Sequence, residues 1–107
     1  MTEKRRHPRL KINLPVILRY KGLLLPATML NLSCGGMCLR ADDPEILKNA
    51  PVEVIFDLDD KKRDISLQGR ITHTEADDES TQVGIELVNV VSEGFKEIQE
   101  YLGKHLN

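Results

Sequence analysis

The chain is 107 residues long, 40% of its residues are hydrophobic and 30% are charged, and its formal net charge is −2. This length leaves room for one domain with one core, and the composition is that of a globular protein, which excludes a disordered chain. No apolar run approaches the roughly 20 residues of a membrane-spanning helix, and no apolar segment follows the basic N-terminus as in a signal peptide. We therefore expect a cytoplasmic protein that does not insert into membranes.

The first 11 residues form a basic segment ahead of the first apolar pattern. They contain five basic residues and one acidic residue, a net charge of +4, so the remaining residues sum to −6. We predict a flexible N-terminal arm over residues 1–11. A short basic arm on an acidic body favours a compact anionic ligand over a long polyanion, because the body would repel a polyanion beyond the arm. The alternative is a charge run that only aids solubility.

The spacing of two arginines in this arm suits the binding of a ligand. Arg5 and Arg9 are separated by three residues, with Arg6 between them. A guanidinium group binds phosphate through two parallel hydrogen bonds and also matches the O6/N7 edge of guanine. In an extended arm the two side chains would be roughly 13 Å apart, so a compact ligand would lie in a bend of the arm. Pro8 favours such a bend because it disfavours helical backbone at His7.

Alternating apolar residues predict the first three strands. The period of two begins at Leu14 and places four side chains on one face: Leu14, Val16, Leu18 and Tyr20. A second apolar stretch covers residues 23–32 with an interruption at Pro26, and a third strand begins at Gly36. Between the second and third strands, residues 31–36 have the pattern Asn-x-Ser-x-x-Gly. These residue types suit a ligand that approaches the backbone closely, and they are also common in turns.

The middle of the chain contains a loop and two further strands. Residues 41–51 are predicted as a loop, with one helical turn at residues 45–48, because Asp-Asp-Pro precedes that turn. The fourth strand is marked by alternating apolar residues: Val52, Val54, Phe56 and Leu58. A polar connection over residues 59–62 leads to the fifth strand, which is marked by Ile65, Leu67 and Ile71. Gly69 in that strand predicts a bulge or a bend of a barrel.

The end of the chain combines one strand with one helix. An acidic loop over residues 75–80 precedes the last strand, marked by Val83, Ile85 and Leu87. Ser92 is a candidate N-cap, Glu93 lies in the first helical turn and Gly103 is a candidate helix end. One helical face carries Phe95, Ile98 and Leu102. The whole pattern predicts a mainly β fold, a small six-stranded antiparallel β-barrel over residues 12–90 with a C-terminal α-helix over residues 91–104, in a single domain.

The arginine pattern and the Asn-x-Ser-x-x-Gly pattern, in this order and at the start of a small β-rich chain, resemble the signature of the PilZ-domain family. Residues 83–87, Val-Gly-Ile-Glu-Leu, are similar to a late strand of that family. The resemblance extends from Lys4 to the C-terminal helix and implies the same barrel. It also implies that the ligand is the bacterial second messenger cyclic di-GMP. The implied ligand-binding residues are Arg5, Arg6, Arg9, Asn31, Ser33 and Gly36, with Gly35 beside them.

Three positions bear on how such a ligand would bind. Asn31 stands where the family more often has Asp, and it offers guanine one acceptor oxygen instead of a carboxylate. Lys4 directly precedes Arg5, and the resemblance implies that a basic residue there accompanies an intercalated ligand dimer, whereas an apolar residue accompanies a single molecule. His73 falls near a position where the family often has an aromatic residue beneath a guanine. The strand pattern equally allows His73 to face the barrel interior and bind a backbone carbonyl.

The residue patterns beside these motifs do not match a catalytic or metal-binding motif. Residues 31–35 lack the first glycine of a nucleophile elbow, residues 57–68 lack the Gly and Glu of a calcium loop, and Cys34 and Cys38 do not match zinc spacing. The resemblance therefore implies a non-catalytic receptor or adaptor, without cofactor or metal, that relays cyclic di-GMP to an effector protein in motility, biofilm or exopolysaccharide control. One alternative is a ligand-independent PilZ-like protein-interaction module. A weaker one is a small β-barrel that binds nucleic acid, against which the 4% aromatic content argues.

Overall fold

A computed structural model describes residues 9–42, 46, 49–76, 79–88 and 93–105. Within them the element order is β1 (Leu10–Tyr20), β2 (Leu23–Leu32), β3 (Gly36–Ala41), β4 (Pro51–Phe56), β5 (Ile65–Ala76), β6 (Thr81–Leu87) and α1 (Glu93–His105). The strands form a closed antiparallel barrel in the order β1-β2-β3-β6-β5-β4. This architecture confirms the predicted six-stranded barrel with a C-terminal helix. No helix in the described ranges is long and apolar enough to cross a membrane.

Several sequence-based predictions lie outside the described residues. These are the arm positions Lys4, Arg5 and Arg6, the N-cap Ser92 and most of the helical turn at residues 45–48. Of that turn only Ile46 is described, and its side chain is buried in the core. Of the predicted arm, the structure therefore describes only Arg9 and the two residues that follow it.

The core is built from side chains at alternate strand positions. On β1, Val16, Leu18 and Tyr20 are buried, whereas Ile17 and Arg19 face outward. β4 and β6 alternate in the same way. α1 adds Ile98 and Leu102, which are buried, and Phe95, which is partly buried against the core: together these form the predicted helical face. A barrel with its apolar faces turned inward leaves the outward positions of each strand free to form a binding surface.

The first two strands differ from the sequence-based expectation. β1 begins at Leu10, four residues before the predicted start, because Leu10 pairs with Leu32 and the half-buried side chains before Leu14 pack against the core. β2 runs without interruption through Pro26, which pairs with Ile17 of β1. Pro26 precedes the part of β2 that pairs with β3, so on that side it has no strand to which an N–H would donate.

The bulge predicted at Gly69 and the helix end predicted at Gly103 are both wrong. Gly69 stays in regular register with Val52 and Leu87, and the irregularity of β5 lies between Ile71 and His73 instead. A Cβ at Gly69 would meet the side chain of Ile85, so glycine there permits a close strand contact. α1 continues through Gly103 to His105, because basic residues in its last turn stabilise the helix end. β5 also extends to Ala76, which makes the acidic loop shorter than predicted.

Lys62, in the connection between β4 and β5, holds α1 against the barrel. Its ammonium group donates to Glu100 Oε1 and to Glu97 Oε2, each at 2.8 Å. These hydrogen bonds raise the pKa of Lys62, and the bond from Lys62 lowers the pKa of Glu100. A Cβ at Gly94 would lie 2.9 Å from the Ser66 carbonyl oxygen, so glycine lets the first helical turn approach the start of β5. The helix therefore packs at the opposite end of β5 from Thr72 and His73.

Candidate ligand-binding site

A concave surface lies on the outside of the barrel, across β3, β6 and β5, and its edge is formed by the turn that follows β2. The cavity has a volume of about 550 Å³. Its lining combines the end of the arm, the β2–β3 turn, positions of the three strands that face outward, and the inward-facing Met37 and Ile85: Arg9, Ser33, Gly35, Gly36, Met37, Cys38, Thr72, His73, Gly84, Ile85 and Glu86.

Three positions in a row across the strands, Cys38, Gly84 and His73, line the floor of this cavity, and Asn31 continues the row beyond the lining. Asn31 pairs with Cys38, Cys38 with Gly84, and Gly84 with His73. Neighbouring strands are about 4.8 Å apart, so the row from Asn31 to His73 spans roughly 14 Å. Of the two middle positions, Cys38 has a small side chain and Gly84 has none. The floor is therefore low between two polar ends, which suits a flat ligand.

An extra residue in β5 turns His73 toward the cavity. Ile71 pairs with Ile85, while His73 pairs with Gly84, so Thr72 is unpaired and breaks the alternation of the strand. Thr72 and His73 are both exposed as a result, and the Thr72 hydroxyl donates to the Gly84 carbonyl at 3.4 Å. The alternative in which His73 faces the barrel interior is wrong. The sequence did not reveal this orientation because a bulge shifts the period by one residue.

Ser33 builds the turn that forms one wall of the cavity. Its side chain accepts hydrogen bonds from the backbone N–H groups of Gly35 and Gly36 and donates to the Gly36 carbonyl, all at 3.2 Å. The Ser33 N–H donates to the same carbonyl at 2.9 Å. Only 5% of Ser33 is exposed. Its hydroxyl is thus fully occupied by the turn, and the turn presents its backbone to the cavity.

The two glycines of this turn attach it to β6. The Leu87 N–H donates to the Gly35 carbonyl at 3.0 Å, which extends the ladder between β3 and β6 into the turn. Gly36 pairs with Glu86, and a Cβ at Gly36 would collide with the carbonyl oxygen of Ile85. Glycine is therefore required at position 36 for the approach of β3 to β6, whatever its role toward a ligand.

Arg9 brings the two sequence motifs into contact. Its Nη1 donates to Asn31 Oδ1 at 3.4 Å, a long and exposed hydrogen bond. The contact follows from the register of β1 and β2, because Lys11 pairs with Asn31 and Arg9 lies just before that pair. The last arginine of the arm and the first residue of the Asn-x-Ser-x-x-Gly pattern thus meet at the edge of the cavity.

The charge at this edge is set by Arg9, because the neighbouring thiol is neutral. Burial raises the pKa of Cys38 above its ordinary value, and the positive charge of Arg9 opposes that shift only in part. Cys34 and Cys38 are both free thiols. In the described ranges of the chain, no three His, Cys, Asp or Glu side chains cluster in a way that could hold a metal ion.

The structure also brings in residues that the sequence did not single out. Cys38, Thr72, Gly84 and Glu86 line the cavity alongside the predicted Arg9, Ser33, Gly35, Gly36 and His73. The alternation of β6 was a usable signal, since it places Gly84 and Glu86 outward between buried residues. What the alternation could not show is that β6 lies next to β3, which is far away in the sequence.

Three comparisons place this chain among known proteins. A model of the PilZ domain matches residues 3–104. Among curated proteins, none matches the sequence. Solved structures do match, and three similar ones are all under 25% identical to this chain, so they support the fold alone.

The first of these is the Bacillus subtilis inhibitor of motility MotI/DgrA, with a TM-score of 0.79 and 16% identity. The match covers 98% of this chain but 52% of that one, so this chain spans about half its length. The PilZ domain of YcgR from Escherichia coli, solved with c-di-GMP, has a TM-score of 0.75 and 14% identity, with 95% and 91% of the two chains covered. The PilZ domain of CeSA from a cellulose-synthesizing bacterium has a TM-score of 0.69 and 21% identity, with 92% and 98% covered.

Proposed function

The chain belongs to the PilZ domain family, and from that premise we propose that it is a non-catalytic receptor that binds cyclic di-GMP and relays the signal to a protein partner. The observation that carries this proposal is the contact between Arg9 and Asn31 at the edge of the cavity. This contact brings a side chain suited to phosphate next to a polar turn. Both lie beside a cavity floor whose side chains are small enough to admit a flat base.

Some residues of the site would bind the phosphates of the ligand, and others would contact its base. Arg9, with Arg5 and Arg6 from the arm, supplies guanidinium groups that bind phosphate oxygens in pairs. A purine ring lies over Cys38 and Gly84, because nothing larger than a thiol rises from the floor there. The exposed ring of His73 borders the far end and can contact the face of the base. None of these roles requires a bond to form or break.

The output of such a receptor is altered contact with an effector protein, in motility, biofilm or exopolysaccharide control. Two proteins of similar fold motivate the proposal of motility and exopolysaccharide control. MotI is described as an inhibitor of motility, and the CeSA domain comes from a cellulose-synthesizing bacterium. Neither of these two proteins identifies the partner of this chain.

Isothermal titration of the protein with cyclic di-GMP tests the proposal. We expect saturable binding, and we expect none with a single-stranded DNA oligonucleotide of the same total phosphate concentration. Binding of the oligonucleotide alone would favour a nucleic-acid-binding barrel. Absence of both would favour a module that contacts its protein partner without a ligand.

We expect that Gly84→Val abolishes most of the binding but preserves the fold. The new side chain would rise from the floor of the cavity into the space of the base, whereas valine suits a strand. An added Cβ would lie 3.3 Å from the Cβ of His73, a contact that a shift of the two strands by a few tenths of an ångström relieves. Titration should show at least a tenfold loss of affinity, and circular dichroism should be unchanged. A Gly84→Val variant that binds as tightly as the wild type would contradict the position of the base.

Lys4 bears on the number of ligand molecules that bind. We propose that its charge accompanies an intercalated dimer of cyclic di-GMP, since a dimer brings more phosphate charge to the arm than a single molecule does. Titration of the wild type should therefore give two ligands per chain, and Lys4→Leu should reduce the ratio toward one. Lys61→Leu, an equal change in the exposed connection between β4 and β5, should leave the ratio at two. A ratio of one in the wild type would refute the role of Lys4.

A further inference from the structure

We propose that Glu86 recognises the guanine base and excludes adenine. This inference rests on the proposed function, and it assigns the base specificity of that same cavity. It concerns a residue that the two sequence motifs do not include.

Glu86 is placed to reach a base that lies on the cavity floor. It is an exposed, outward residue of β6, two positions beyond Gly84, which is about 7 Å along the strand. The register sets it between Gly36 of β3 and Arg70 of β5. Because Gly36 has no side chain, the carboxylate of Glu86 borders open space above the β2–β3 turn. Among the described residues, no hydrogen bond or ion pair occupies this carboxylate.

The chemistry of a carboxylate matches guanine and opposes adenine. Guanine presents two neighbouring donors, N1–H and the N2 amino group, and an ionised carboxylate can accept from both at once. Adenine presents the N1 lone pair beside its amino group, so one carboxylate oxygen would face another acceptor. Two acceptors that face each other without a donor are unfavourable where the bound ligand has displaced water, and this is what makes hydrogen bonding selective.

The neighbouring amide matches the guanine edge less well than a carboxylate does. Asn31 has one acceptor oxygen, and that oxygen also receives the N–H of Arg9 at 3.4 Å. Its amide nitrogen is a donor and would oppose the donors of guanine. Among the residues that line the cavity, Glu86 is the one carboxylate within the described part of the chain.

The negative charge of Glu86 is compatible with an anionic ligand because the two charges lie apart. Arg9 contacts Asn31 on β2, and Glu86 lies on β6, two strands away and therefore roughly 10 Å across the sheet. A cyclic dinucleotide can place its phosphates near Arg9 while a base extends toward Glu86. Separation of this order also weakens repulsion between the carboxylate and the phosphates at physiological salt.

Glu86→Gln tests the assignment, with Glu75→Gln as its matched control. Glu75 is also an exposed residue of this sheet, opposite Gln82, but it does not line the cavity, and its substitution changes the net charge equally. Each protein is titrated with cyclic di-GMP and with cyclic di-AMP. We expect Glu86→Gln to bind cyclic di-GMP at least tenfold more weakly and cyclic di-AMP unchanged or more tightly. Glu75→Gln should match the wild type for both ligands.

The outcomes separate this inference from the proposed function. If Glu86→Gln binds cyclic di-GMP as tightly as the wild type, or more tightly, Glu86 only repels phosphate and the assignment is wrong. A wild type that binds both dinucleotides equally would also overturn it, while leaving the receptor function in place. A wild type that binds neither dinucleotide overturns both proposals.

Discussion

Replacement of Arg9 by alanine is expected to weaken cyclic di-GMP binding at least tenfold, and Arg5→Ala should have an effect of the same size. A charge-assisted hydrogen bond contributes about 1.5–3 kcal/mol, and 1.4 kcal/mol corresponds to a factor of ten. Arg9 lies ahead of β1, where its side chain makes an exposed hydrogen bond with Asn31 among the residues that the structure describes, so the barrel should remain intact. Titration measures the affinity, and thermal unfolding checks the fold.

Two further variants identify what the arginine contributes. Arg9→Lys keeps the charge but loses the paired donors, so its affinity should lie between those of the wild type and Arg9→Ala. Arg19→Ala removes an outward arginine of β1 whose partner is Glu53, at 3.4 Å, and should leave binding unchanged. Wild-type affinity in both Arg5→Ala and Arg9→Ala would exclude this cavity as the phosphate site.

Gly36→Ala is expected to be the most destabilising single change in the site. Its Cβ would collide with the Ile85 carbonyl oxygen, which belongs to backbone and cannot rotate away. Relief requires β3 and β6 to separate locally, at a cost of roughly 2–3 kcal/mol. For a domain of this size that corresponds to a melting temperature lower by about 10–20 °C. Thermal unfolding without ligand measures this effect independently of binding.

The same substitution elsewhere in the chain provides the control. A Cβ at Gly103, inside α1, would have nothing within 4 Å. Gly103→Ala should therefore stabilise the protein by up to about 1 kcal/mol, because alanine favours the helix. Equal melting temperatures for wild type and Gly36→Ala would show that β3 and β6 can move apart freely, contrary to the close packing described above.

The site could be predicted from the sequence only in part. The pattern at residues 31–36 predicts the turn, and the arginine spacing singles out Arg9, which lines the cavity, because both are local arrangements of residue types. The role of Ser33 was less evident, since its hydroxyl binds the turn itself. The sequence allows two orientations of His73, and the extra residue Thr72 decides between them. Lys4, Arg5 and Arg6 remain predictions from the sequence.

Features that depend on near neighbours along the chain could be predicted from the sequence. Alternation at Val16, Leu18 and Tyr20 identified an inner face of β1, and the spacing of Ile98 and Leu102 identified the buried face of α1, because strands and helices have fixed periods. The tertiary structure alone decided that β3 lies beside β6. That pairing places Gly84 and Glu86 next to Cys38 and Gly36. It arises from closure of the barrel, which depends on all six strands at once. The residue pattern of a single strand therefore does not indicate which strands will be its neighbours.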